Sequence, residues 1–131
     1  MPDPTKASRK LHRRLFTSEV DPGDYQAALA YLELRLAPDR AARIVERLKH
    51  GRLEHRRAND ILRACDRDPL PLEDPGVKRA LLKVVSGRKL RPVMLVSIDP
   101  IGGDIADGYH RVSLAYHLDP FFPVPCKLED A

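Results

Sequence analysis

Residues 92–98, PVMLVSI, form a nearly unbroken apolar run between Arg91 and Asp99. A segment apolar at successive positions has two faces to bury, so the run predicts a buried central strand. Turn chemistry follows in DPIGGD, where Gly102 and Gly103 suit a hairpin, and a short strand near Ile105 is expected next. FFPVPCKL then alternates, with Phe122, Val124, Cys126 and Leu128 on one side and Pro123, Pro125 and Lys127 on the other. Proline has no backbone N–H to donate, which predicts that this last strand lies at a sheet edge.

The residues before the strand read as helices. Asp21-Pro22-Gly23-Asp24 is a turn, with Asp24 placed to cap a helix whose stripe is Tyr25, Leu29, Leu32 and Leu36. Pro38 opens a second helix that buries Ile44, Val45 and Leu48 and stops at Gly51. EHRRANDILRACDR predicts a third, with Ala58, Ile61, Leu62 and Cys65 inward. After the rigid connection DPLPLEDPG, Asp74 and Pro75 start a fourth, with Val77, Leu81, Val84 and Val85 on one face and Gly87 at its end. The expected organisation is a basic tail over 1–14, a helical segment over 15–67 and an α+β unit over 68–131.

Charge is uneven. Residues 1–67 carry fifteen Lys and Arg against ten acids, and residues 68–131 carry eight against nine. Arg40, Arg43, Arg47, Lys49, Arg52, Arg56, Arg57 and Arg63 are numerous enough to contact nucleic acid, although Glu46, Glu54 and Asp60 are interleaved and no aromatic stands among them to stack on bases. No stretch has the roughly 18 apolar residues of a membrane span, and the amino terminus lacks the apolar core of a secretory signal. Cys65 and Cys126 sit in unrelated contexts without metal-ligand spacing, so reduced thiols in a cytoplasmic protein and no metal site are expected.

IADGYHRVSLAYHL, residues 105–118, turns a strand into a helix through Asp107, Gly108, Tyr109, His110 and Arg111. Unpaired N–H groups and the aligned peptide dipoles favour an anion at a helix start. Gly108 permits a close backbone approach, while His110 and Arg111 supply donors suited to phosphate. Asp107 is placed to orient Arg111 or His110. The bland alternative is a self-satisfied polar turn.

The segment from Leu70 to Leu128 resembles the ParB/sulfiredoxin-like fold: helix, strand, a strand running into a G-x-x-R helix, and a closing strand. Gly108, His110 and Arg111 match the sulfiredoxin Gly-Cys-His-Arg turn, and Gly108, Arg111 and Ala115 match the ParB pattern. EDPGVKRALL resembles the helix that in sulfiredoxins supplies a lysine to the nucleotide, with Lys78 near that place. A closer likeness, over about residues 55–128, is to a group of small uncharacterised bacterial proteins with runs like RANDILRA, GRKLRPVMLV and IADGYHR. The resemblance implies a nucleotide- or phosphate-binding protein, with ATP or CTP and Mg as candidate ligands held by Gly108, Tyr109, His110, Arg111 and Lys78, or by Lys83 in its place. Tyr109 stands where sulfiredoxin chemistry needs a cysteine, and a phenol of pKa near 10 does not replace a thiolate. This excludes repair of oxidised peroxiredoxin. The chain ends three residues after Leu128, without the DNA-binding and dimerisation parts of a partition protein. Two alternatives stand beside the binding reading. One is a phosphotransferase or nucleotide hydrolase using the same pocket, with Asp107, Asp104 and Tyr109 as catalytic candidates. The other is a DNA-binding or regulatory protein acting through the basic front helices.

Overall fold

The computed structural model describes residues 15–131, and the tail expected over 1–14 lies outside the described residues. Helices α1 (Pro22–Leu32) and α2 (Pro38–His50) come first. They are followed by strand β1 (Glu54–Arg57), helices α3 (Ala58–Ala64) and α4 (Pro75–Val85), the hairpin β2 (Val93–Ile98) and β3 (Gly102–Asp107), helix α5 (Tyr109–Leu118) and strand β4 (Pro123–Asp130). The protein is α+β, with one mixed sheet ordered β1-β4-β2-β3. β2 pairs antiparallel with β3 and parallel with β4, while β1 closes the other side antiparallel to β4.

The apolar run behaves as its sequence demands, for Val93, Met94, Leu95, Val96 and Ile98 are all buried. Because side chains alternate along a strand, the two faces supply two cores. Val93 and Leu95 join Ile61, Leu62, Val77, Val112, Ala115 and Phe122 under α3, α4 and α5. Met94, Val96 and Ile98 join Ala28, Leu32, Ile44 and Leu48 under α1 and α2. The front helices therefore cover one whole face of the sheet. No helix among the described residues is long and apolar enough to cross a membrane.

Four expectations are corrected. Asp21, not Asp24, caps α1 by accepting from Gly23 N at 2.8 Å, and the helix ends at Leu32 before reaching Leu36. The third expected helix begins only at Ala58, because Glu54–Arg57 is drawn out as a strand by pairing with Pro123–Cys126. β4 is internal rather than an edge: its ladder with β2 starts at Cys126, so both prolines precede it and no N–H is missed there. Leu128 is 38% exposed, lining an open cavity beside Ile61, Ala64 and Cys65 instead of being enclosed in the core.

Gly108 joins β3 to α5 with φ 107° and ψ 18°, left-handed backbone that glycine adopts without strain. A Cβ there would stand 2.5 Å from Val93 Cγ1. Gly108→Ala should therefore cost about 2–4 kcal/mol in urea unfolding, from strain and overpacking together. A loss under about 0.5 kcal/mol, the level of an ordinary surface change, would contradict this.

Candidate functional site

The strand-to-helix turn is built around a buried ion network. Arg111, on the first turn of α5, points back into the fold and is only 11% exposed. Its Nη2 donates to Asp107 Oδ2 at 2.5 Å, and its Nη1 donates to the carbonyls of Arg91 at 3.1 Å and Pro92 at 3.0 Å. Nη1 also reaches Asp24 Oδ2 at 3.3 Å. Asp24 in turn accepts from Arg91, Nε at 2.7 Å and Nη2 at 3.1 Å. Thus Arg111 does not present its guanidinium to a ligand, as the turn motif predicts; its donors are taken by the protein.

Asp24 is the functional residue that sequence reasoning misses. With Asp21 at the cap, Asp24 falls on the buried stripe Asp24, Ala28, Leu32, spaced i, i+4, i+8. An acid on an apolar stripe was the available signal, since a buried carboxylate requires a partner.

Beside this network a cleft of about 240 Å³ opens between α4, the segment before β2, and the turn. Arg79 and Lys83, one turn apart on α4, line it with Lys89 and Arg91, and Asp107, Gly108, His110 and Arg111 form its opposite wall. Arg91 and Arg111 are paired with acids. Arg79, Lys83 and Lys89 have no ion-pair partner among the described residues. α5 starts at Gly108 without a side-chain cap, so its first-turn dipole adds partial positive charge on the same side. Lys78 is exposed and does not line the cleft, whereas Lys83 does.

His110 and Tyr109 face different neighbours. The His110 ring lies on the start of α4, where a Cβ on Gly76 would come within 2.2 Å of its Cδ2. Its Nε2 is 3.5 Å from Asp74 Oδ2, the oxygen that caps α4 by accepting from Gly76 N and Val77 N. The Tyr109 hydroxyl donates to the Asp68 carbonyl, and the Arg67 guanidinium stands 5.9 Å over its ring. Tyr109 therefore belongs to an adjoining cleft of about 280 Å³ that also holds Tyr31, Arg67 and Asp104. Asp104 is buried there, accepting from the Tyr31 hydroxyl at 2.7 Å, with Arg35 Nε 3.2 Å away. Burial, then the Asp104 hydrogen bond, pushes the Tyr31 hydroxyl pKa up. Asp107 lines both clefts, and burial raises its pKa against the opposing pull of Arg111.

Burial also pushes the thiols of Cys65 and Cys126 up to about 11, so neither replaces the nucleophile missing at Tyr109. Among the described residues, no group of three or more His, Cys, Asp or Glu is placed to hold a metal ion. No family model, curated protein or solved structure matches the chain.

Asp24→Ala leaves the buried Arg111 with Asp107 alone and the part-exposed Arg91 with no ion-pair partner among the described residues. It should cost about 3–5 kcal/mol of stability in urea unfolding, and a cost under about 1 kcal/mol would show the network to be slack. Both thiols should react with a disulfide reagent at neutral pH far more slowly in the folded protein than in urea, because only about one in ten thousand is ionised when folded. Equal rates in the two states would refute that assignment.

Proposed function

We propose that the protein binds a small phosphate-bearing ligand, such as a nucleotide or a free phosphate anion, in the cleft between α4 and the Gly108 turn. The observation that carries this reading is the trio Arg79, Lys83 and Lys89, which converge on a concave site without acids to neutralise them. Asp24 and Asp107 offset Arg91 and Arg111, so the uncompensated charge belongs to the trio. Lysine and arginine in a cleft with low-dielectric walls attract phosphate strongly. Gly108 and the uncapped start of α5 supply the backbone side of the cradle.

The roles within the turn change accordingly. Arg111 is a positioning residue that fixes Asp107 and the carbonyls before β2. Lys83 takes the place of Lys78 as the α4 contact. A catalytic version of the same site would use Asp107 as a base, but Arg111 already engages that carboxylate at 2.5 Å. Binding without turnover is the preferred reading.

A thermal-shift series with inorganic phosphate, ATP and CTP, each with and without magnesium, tests it. At a hundredfold excess over Kd a true ligand stabilises by about 2.7 kcal/mol, a rise of several degrees. The rise should disappear in the double variant Arg79→Ala/Lys83→Ala, whose unliganded Tm should match the parent's. If no phosphate compound stabilises the parent, the reading fails.

A further inference from the structure

The positive charge at the cleft continues beyond it. Residues 75–98 hold six basic residues, Lys78, Arg79, Lys83, Arg88, Lys89 and Arg91, and not one Asp or Glu. Only Arg91 has an ion-pair partner among the described residues. Half of the front cations are paired, Arg43 with Asp39, Lys49 with Glu46, Arg56 with Glu54 and Arg63 with Asp60. Arg40, Arg47, Arg52 and Arg57 have no ion-pair partner among the described residues but stand in a segment that also carries Glu46, Glu54 and Asp60. Lys78 and Arg88 are exposed and stand outside the cleft, each next in the chain to a cation that lines it, Lys78 before Arg79 and Arg88 before Lys89.

We propose that this strip, along α4 and the turn that follows it, binds the phosphodiester backbone of duplex DNA, one phosphate seated in the cleft and its neighbours on Lys78 and Arg88. The inference rests on the phosphate reading above and extends it from a single anion to a polymer. Unpaired cations release counterions from DNA, whereas cations already neutralised by an adjacent acid add little. The acid-free run therefore favours α4 over the front helices, whose cations are interleaved with acids and half of them paired. Residues 75–91 contain no aromatic side chain, so the strip has no platform on which unstacked bases could lie. The backbone of a duplex needs none, since phosphate contacts position without reading sequence. An anionic bilayer fits less well: Leu82 and Val85 are the only large apolar side chains exposed on α4, and the charge gathers at a concavity.

Fluorescence anisotropy with a duplex of about 20 base pairs at about 50 mM salt tests the proposal. The parent should bind, with log affinity falling against log salt at a slope of about −3 for three phosphate contacts. Lys78→Glu/Arg88→Glu should weaken duplex binding at least about tenfold and flatten the slope by about two. The phosphate-induced thermal shift should survive in that variant. The control Arg43→Glu/Arg63→Glu should leave duplex binding unchanged. Any of four results would overturn the inference: no duplex binding in low salt, loss in the front-helix control instead, tighter binding of single strands, or preference for phosphatidylserine-rich vesicles. A phosphate shift without duplex binding would remove this inference alone; loss of both would remove the cleft reading as well.

Discussion

One carboxylate ties the molecule together. Asp24 comes from α1 at the front of the chain, yet it closes on Arg91, just before the central strand, and on Arg111 in α5. Asp24 and Arg111 are largely withdrawn from water, and charged groups so placed are costly unless nearly every donor and acceptor is used. The network meets that condition: Arg111 reaches two carboxylates and two carbonyls, and Arg91 grips Asp24 through two nitrogens. The front helices are thus joined to the turn by charge as well as by the apolar face of the sheet.

This internal pairing shapes the electrostatics outside. Asp24 and Asp107 are spent on Arg91 and Arg111, so Arg79, Lys83 and Lys89 are left with no ion-pair partner among the described residues. A motif whose sequence points its arginine at a ligand instead uses that arginine to hold the walls of a cleft. The residues left free to meet an anion are the less conspicuous Arg79, Lys83 and Lys89. The proposed phosphate and DNA contacts both follow from this division of labour.

Local signals in the sequence were enough for the elements whose causes are local. Pro38, Pro75 and Gly108 mark helix starts, and the apolar run before Asp99 marks the central strand. β1 was hidden because Glu-His-Arg-Arg has no alternation; it becomes a strand only through β4, some seventy residues away. The central place of β4 was hidden for a related reason: prolines forbid certain hydrogen bonds, but only the register shows that those bonds are not required. In the site, the turn and the contact of Asp107 with Arg111 were legible, but the tie from Arg111 to Asp24, 87 positions earlier, was not. The acid-free stretch 75–98 was in plain view, but summing charge over half the chain averages it away against the acids around it.

The sheet has an exposed border at β1, where His55, Arg56 and Arg57 all face solvent. Open strand borders invite another chain to add itself, and clustered like charge discourages that growth. Two adjacent arginines sit on that margin, and the Arg57 guanidinium stands 5.6 Å over the exposed Phe121 ring. A strand added at this rim would have to strip water from long charged side chains, which discourages growth there.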